Sequence, residues 1–417
     1  MPRSTALLIG LCGAALAVFP AAADGIDKQD FSQIERGRYL TVAGDCTACH
    51  TLPGSGREFA GGRPLETPFG QLIGPNITPD AETGIGAWTD DEFVNALTNG
   101  TGRNGQRLYP AMPYTYYTKL TRDDALAIRA YLNTLPAIHN PVEPNQLPFP
   151  FDIRASMLLW DQLFFTPGSF RPNPNKGADW NRGAYLAEGL THCGMCHTPK
   201  NFLGGDRNGE YLRGYALQGW FAPDITNDTR RGLGGWSADE IAAYLKTGHN
   251  STSAAAGLMA EMVNLSTSHL NDHDLQAIAV YLKDAPGNGT GGTLSQPAKP
   301  DEKVMAAGSA IYADECSGCH RSDGKGTDGL FPSLNGSPVV QQRDPTTLLH
   351  VVLRGVRSAS TAGAPTAAAM PQFDWLLADD QVAAVLTYIR NTWGNAAPPV
   401  SAAAAGNARH AFTERGD

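Results

Sequence analysis

The feature that most limits how this chain can fold is a motif that occurs three times: two cysteines separated by two residues, with histidine directly after the second. Paired thiols at this spacing, beside an imidazole, predict covalent attachment of haem through two thioether bonds, with the histidine as proximal ligand of the iron. The copies supply Cys46, Cys49 and His50, then Cys193, Cys196 and His197, and then Cys316, Cys319 and His320. We therefore expect three covalently bound haem c groups.

A zinc site or a disulfide in each motif is the alternative interpretation. Structural zinc needs four nitrogen or sulfur ligands. Six of the seven cysteines already lie in the motifs, so no second pair completes such a site. The net charge of −9 argues against nucleic acid as a partner, because nucleic-acid binders carry a basic surface.

The amino terminus has the pattern of a secretory signal. An apolar run containing the seventh cysteine, Cys12, follows Arg3 and precedes three alanines that end at Ala23. This pattern predicts removal of residues 1–23. Lipoprotein attachment at Cys12 is the alternative, but the preceding Leu11 is larger than such sites prefer. Covalent haem attachment in bacteria takes place outside the inner membrane, so we expect the mature protein on the periplasmic side of that membrane.

The three motifs each open a domain-sized stretch and so predict three tandem domains. We expect a mainly α-helical chain with few or no strands, in domains that resemble class I cytochromes c. With 46 glycines and 29 prolines, long loops should join the helices. We assign domain one to residues 27–140, domain two to 178–288 and domain three to 301–395. Residues 141–177 are Pro-rich and should form a stiff linker, called the strap below. Residues 289–300 should be a flexible linker, and residues 396–417 a disordered tail.

Local signals place helices inside each domain. A capping-box spacing, with Ser or Thr three residues before Glu, predicts helix starts at Ser32, Thr89 and Ser237; Pro345 marks a further start in domain three. Glycine is typical just past a helix end, and the predicted ends are Gly100, Gly248 and Gly355. The last helix of each domain has an apolar stripe at i, i+3 and i+7. The stripes are Ala125, Ile128 and Leu132; Leu275, Ile278 and Leu282; and Val382, Val385 and Ile389.

Methionine is the expected sixth ligand of the iron, because it raises the reduction potential in electron-transfer cytochromes. Two methionines lie 62 residues after the motif histidine of their domain, Met112 in domain one and Met259 in domain two. Met370 in domain three stands between alanine and proline, as Met112 does. Met262, one helical turn from Met259, is the alternative in domain two. We interpret Met195 as a spacer within its motif, and the following as surface histidines: His192, His249, His269 and His273.

The chain resembles the triple-haem cytochrome c subunit of bacterial membrane-bound, quinone-linked dehydrogenases for alcohols, gluconate and related sugar derivatives. The resemblance lies in residues 84–88, 109–114, 146–154, 180–199 and 388–399, and it spans nearly the whole mature chain. It implies a subunit that accepts electrons from a separate catalytic subunit and passes them towards ubiquinone. That catalytic subunit would be a quinoprotein, a flavoprotein or a molybdenum enzyme, with a small third subunit as a further candidate partner. The family commonly has Gly-Pro-Met at the second distal site, where this chain has Leu258 before Met259.

Two other functions are alternatives to this relay. A stand-alone multihaem redox enzyme such as a peroxidase needs an open iron position, which three methionine ligands would close. A cytochrome linked to a terminal oxidase would usually bring its own membrane span. No run after the signal reaches the ~20 apolar residues of such a span. The most apolar run, residues 157–165, is interpreted as packing between domains, with an interfacial or partner-docking helix as alternatives. We therefore expect peripheral membrane association and no substrate oxidation by the chain alone.

Overall fold

The computed structural model describes residues 30–287 and 300–415, together with Met1. The predicted signal peptide, apart from Met1, and the predicted flexible linker, apart from Pro300, lie outside the described residues. The described chain is mainly helical, and its strands form short antiparallel pairs: β1 (Pro64–Thr67) with β2 (Gly70–Ile73), β3 (Arg213–Leu217) with β4 (Trp220–Asp224), and β5 (Val356–Arg357) with β6 (Ala369–Met370). This confirms the predicted fold class.

The helices follow the order expected from the motifs. Domain one contains α1 (Phe31–Ala43), α2 (Cys46–His50), α3 (Asp90–Asn99), α4 (Tyr114–Tyr117) and α5 (Arg122–Leu132), and the strap contains α6 (Met157–Phe164). Domain two contains α7 (Ala178–Tyr185), α8 (Cys193–His197), α9 (Ala238–Thr247), α10 (Gly257–Leu265) and α11 (Asp272–Asp284). Domain three contains α12 (Glu302–Ile311), α13 (Ser317–His320), α14 (Thr346–Arg354) and α15 (Asp379–Ile389), and α16 (Ala402–Arg415) follows it.

In every domain the first helix crosses the last one at a glycine. A Cβ atom on Gly37, Gly183 or Gly308 would lie 1.8, 1.9 or 2.2 Å from a backbone oxygen of α5, α11 or α15, respectively. Any larger residue would therefore push the two helices apart. The apolar stripes of α5, α11 and α15 are buried beside these crossings, as predicted.

Most of the predicted helix boundaries are confirmed. Thr89 and Ser237 each form a complete capping box, and Gly100 and Gly248 end their helices in the left-handed conformation with φ of 61° and 78°. The predicted start at Ser32 is wrong. Asp30 caps α1 instead, because its carboxylate accepts the backbone N–H of Ser32 at 2.9 Å, and the Ser32 hydroxyl itself donates to the same oxygen.

Domains one and two share one continuous hydrophobic core, whereas domain three has its own. Two reciprocal hydrogen bonds join domain one to domain two. Tyr39 of α1 donates to Asp274 of α11 at 2.6 Å, and Tyr185 of α7 donates to Asp124 of α5. Asp274 also pairs with Arg182 of domain two, and Asp124 pairs with Arg36 of domain one. In domain three Ala310 stands two residues after the crossing glycine, where the other domains have tyrosine, and it is exposed.

The strap is bound along domain one and reaches domain two. The Asp161 carboxylate accepts from the Tyr114 hydroxyl at 2.7 Å, and the Trp160 indole N–H donates to the carbonyl of Leu203 at 2.9 Å. One face of α6 therefore packs between domains, as the interpretation of residues 157–165 requires. The opposite face, which carries Leu159 and Leu163, is exposed.

The prediction of a disordered tail is wrong for residues 402–415, which form α16. Phe412 and Ala405 are buried in the core of domain three. Arg409 donates to the Asp379 carboxylate at 2.8 Å and to the carbonyl of Leu377 at 2.7 Å. The small, Ala-rich residues that suggested disorder instead let this helix pack closely.

Candidate haem sites

Each motif histidine is held by a hydrogen bond from its ring nitrogen Nδ1. The acceptors are proline carbonyl oxygens: Pro75 for His50 at 2.7 Å, Pro223 for His197 at 2.7 Å and Pro332 for His320 at 3.1 Å. A carbonyl only accepts, so Nδ1 carries the proton and Nε2 keeps the lone pair that binds iron. Burial lowers the pKa of all three histidines, although the proline hydrogen bonds oppose this. The imidazoles are therefore neutral, the form that binds a metal.

The motif cysteines are free thiols, without a disulfide. Burial raises the pKa of the Cys46 and Cys49 thiols to about 12. These two thiols are therefore protonated at neutral pH. Among the described residues, no group of three or more His, Cys, Asp or Glu side chains is placed to hold a metal ion.

A single cavity of about 1980 Å³ borders all three motifs. It exceeds the roughly 300–1,000 Å³ typical of a pocket for one small ligand, so it has room for more than one large planar group. The motif cysteines and histidines that line it are Cys49, Cys193, Cys196, His197, Cys316, Cys319 and His320, whereas Cys46, His50 and the distal candidate Met112 do not line it. Free cysteine pairs, histidines with an available Nε2 and a cavity of this size fit covalently bound haem.

The distal candidate of domain one, Met112, lies in a loop that the strap holds in place. Tyr109 donates from its hydroxyl to the carbonyl of Phe151 at 3.0 Å, and the Arg154 guanidinium lies 4.6 Å from the centre of the Tyr109 ring. Met112 itself packs against the shared core. The strap therefore positions the loop that would supply the sixth ligand of the first haem.

In domain two both methionine candidates lie on α10, and both line the cavity. Met259 also packs against a small core that includes Ala359 of domain three. Between the two methionines, Glu261 forms an ion pair with Arg63 of domain one, with one N–O distance of 2.9 Å. This pair ties α10 to domain one, so the helix is fixed whichever methionine binds iron.

The distal candidate of domain three, Met370, lies on β6 opposite Val356 and lines the cavity. Gly355 ends α14 as predicted, with φ of 69°. A Cβ atom at Gly355 would lie 2.7 Å from the carbonyl oxygen of Met370. Glycine is therefore required there for the strand that carries Met370 to approach α14.

Domain two contacts both of the other domains. Domains one and two share a hydrophobic core and are joined by the hydrogen bond from Tyr39 to Asp274. Between domains two and three, Trp220 of β4 stacks on His350 of α14 with ring centres 3.9 Å apart. Phe221 accepts a hydrogen bond from Thr347 at 2.9 Å. Domain two therefore lies between the other two domains.

The interpretation of the remaining histidines as surface residues is partly wrong. His269 and His273 are exposed, as predicted. His249 is buried against domain three, with Nε2 3.4 Å from the carbonyl oxygen of Ala359. His192 lies against the Tyr117 ring, and burial lowers its pKa to about 4. Both misplacements arise from contacts between domains, for which the sequence has no local signal.

We expect Met112→Leu, Met259→Leu and Met370→Leu each to remove one low-spin, methionine-ligated haem signal. Leucine fills similar space but has no sulfur to bind iron, so one iron per variant should become open to carbon monoxide. Absorption spectra of the reduced protein with and without carbon monoxide would measure this. Met262→Leu is the matched control on the same helix. Carbon monoxide binding in Met262→Leu but not in Met259→Leu would reverse the assignment in domain two.

The chain is similar to known proteins over most of its length. The cytochrome c family profile matches residues 34–136 and 305–393. The chain is 38% identical over 399 residues to the gluconate 2-dehydrogenase cytochrome c subunit of Pantoea cypripedii, covering 91% of this chain and 89% of that protein. It is 38% identical over 400 residues to the fructose dehydrogenase cytochrome subunit of Gluconobacter japonicus, covering 88% and 81%. It is also 37% identical over 386 residues to the cytochrome c subunit of the quinone alcohol dehydrogenase of Gluconobacter oxydans, covering 88% and 80%.

Proposed function

Because the chain belongs to the family of cytochrome c subunits of dehydrogenase complexes, we propose that it relays electrons from a periplasm-facing catalytic subunit through three haems to ubiquinone. The observation that carries this proposal is the cavity that borders all three motifs. Haems attached at these motifs would follow one another from domain one to domain three. The catalytic subunit would oxidise an alcohol, a sugar or a sugar acid, as the names of the relatives suggest.

Haem c, when bound, supplies an iron that takes up and releases one electron at a time. The chain's residues determine how that iron is held. His50, His197 and His320 present Nε2, and the proline carbonyls that bind Nδ1 fix the orientation of each ring. Most of the cavity lining is apolar, and an apolar surrounding would favour the reduced iron and so a higher potential.

Among the described residues, no helix is long and apolar enough to cross a lipid bilayer. We propose peripheral attachment through an exposed apolar patch, defined as Leu159, Leu163 and Phe202, whose exposed fractions are 62%, 60% and 88%. A patch of this kind is typical of an interaction surface. Leu159, Leu163 and Phe202 also border the haem cavity, so ubiquinone entering from the membrane at this patch would approach the haems directly.

The membrane proposal is tested by replacing Leu159 and Leu163 together with serine. The complex should then sediment less with membranes and reduce ubiquinone more slowly, while its haems are still reduced by substrate. Trp375→Ser, which removes an apolar side chain 74% exposed on domain three, is the control and should change neither. Unchanged sedimentation and quinone reduction in the double variant would contradict the proposal.

The relay itself is tested by mixing the purified chain with an alcohol, gluconate or fructose and a quinone analogue, with and without the catalytic subunit. The chain alone should oxidise none of them. With the catalytic subunit and its substrate, the haems and then the quinone should be reduced. Substrate oxidation by the isolated chain would contradict the relay, and haem reduction without quinone reduction would remove ubiquinone as the acceptor.

A further inference from the structure

A charged side chain is completely buried behind the haem cavity of domain three. Arg390, the residue after α15, has an exposed fraction of 0%. Its guanidinium donates to three backbone carbonyl oxygens: that of Pro398 at 2.9 Å, that of Val340 at 3.2 Å and that of Gln342 at 2.8 Å. These bonds give each of the three guanidinium nitrogens one partner but supply no negative charge.

The Arg390 charge is not neutralised by a contact. No carboxylate in the described part of the chain forms an ion pair with it. Asp344 is the carboxylate whose negative charge raises the pKa of Arg390. The Asp344 carboxylate is itself engaged, because it accepts the backbone N–H of Thr346 at 2.8 Å. Burial lowers the pKa of Arg390 to about 10, so the guanidinium is still protonated at neutral pH.

Arg390 stands directly behind the wall of the cavity. Ile389, the preceding residue, and Val340, whose carbonyl binds the guanidinium, both line the cavity together with Met370 and His320. An uncompensated charge acts strongly across such a low-dielectric interior. A positive charge favours the state with one more electron, and so favours reduced iron.

The equivalent positions in the other domains differ. Asn133 follows α5 in domain one, is neutral and is exposed. Lys283, near the end of α11 in domain two, is only half-buried; it donates to the carbonyls of Gly234 at 2.8 Å and Trp236 at 2.7 Å. Of these three positions, only the one in domain three carries a charge that is fully removed from water.

We propose that Arg390 raises the reduction potential of the haem in domain three through its buried charge. Arg390 would then be a residue that tunes the cofactor without touching it. The inference rests on the haem assigned to Cys316, Cys319 and His320 above. It makes domain three a favourable place for the electron to reside.

The test is a spectropotentiometric titration of the holoprotein carrying Arg390→Met, compared with the wild type and with Arg390→Lys. The titration component whose midpoint potential changes in Met370→Leu belongs to the haem of domain three. In Arg390→Met this one midpoint potential should become more negative, with the other two unchanged. Arg390→Lys keeps the charge and should stay close to wild type. Equal shifts in both variants, or no shift in Arg390→Met, would overturn the inference.

A second variant covers the case in which Arg390→Met does not fold. Arg390→Gln carries no charge but keeps N–H donors for the backbone carbonyl oxygens, so the same midpoint should become more negative. An unchanged midpoint would overturn the inference. A haem count in the wild type separates this outcome from failure of the proposed function. If the wild type has three haems and the midpoint potential does not shift, only the role of Arg390 is contradicted. If the third haem is missing, both the role of Arg390 and the proposed function are contradicted.

Discussion

Replacing both Cys193 and Cys196 with alanine should remove one haem and leave the dehydrogenase complex almost unable to reduce ubiquinone. Domain two lies between the other two, and on one side it shares a hydrophobic core with domain one. On the other side, Trp220 stacks on domain three. Electrons passing between domains one and three would have to cross the gap left by the missing haem of domain two. Haem content and quinone reduction by the reconstituted complex would measure the effect.

The matched control for this variant is Met195→Ala, which changes the same motif but keeps both cysteines and His197. It should retain all haems and nearly full quinone reduction, because Met195 is interpreted as a spacer. Normal quinone reduction in the double cysteine variant would show that electrons bypass domain two. Loss of haem in Met195→Ala would show that the effect comes from disruption of the motif helix.

Asp274→Asn should destabilise the protein by about 3–5 kcal/mol, the usual cost of leaving one partner of a buried ion pair without the other. The Asp274 side chain is 3% exposed and accepts from Arg182 at 2.7 Å and from Tyr39 at 2.6 Å. The change therefore weakens both the α7–α11 contact and the junction of domains one and two. Denaturant unfolding of wild type and variant would measure the difference in free energy.

Asp284→Asn is the control on the same helix. The Asp284 side chain is 46% exposed and pairs with Lys176, and such surface pairs contribute about 0–1 kcal/mol. Its loss should therefore change stability little. Equal destabilisation by the two variants would contradict the special role of Asp274.

The effect of Asp274 should depend on pH. Burial alone would raise its pKa, but hydrogen bonds from Arg182 and Tyr39 outweigh burial and hold the pKa below its ordinary value. Its stabilisation is therefore complete above the unfolded-state pKa of about 3.9 and is lost as the pH falls through the lower pKa of the folded state. The stability difference between wild type and Asp274→Asn should shrink on acidification below pH ~4. A difference that grows there would contradict the assignment.

The features that the sequence predicted well depend on neighbouring residues. The capping boxes at Thr89 and Ser237 and the helix-ending glycines involve groups within a few positions. The apolar stripes follow the period of the helix itself. The cysteine motifs are equally local, because two thiols and an imidazole on one helical turn come together without help from the rest of the fold.

The features that the sequence did not predict depend on distant contacts. The shared core of domains one and two forms through Tyr39 and Tyr185, whose partners lie 235 and 61 residues away. The composition of α16 suggested disorder, yet Phe412 and Arg409 find partners on domain three. His249 was interpreted as a surface residue for the same reason. Composition and periodicity do not describe such pairings.

The measurement that tests this account most directly is the number of haems on the fully matured chain. We predict three covalent haems per chain, one for each motif. Each motif histidine donates from Nδ1 to a proline carbonyl and so keeps Nε2 for iron. A haemochrome assay against protein concentration, with intact mass to confirm covalent attachment, would count them. Three covalent haems would agree with the account, and two or fewer would contradict it.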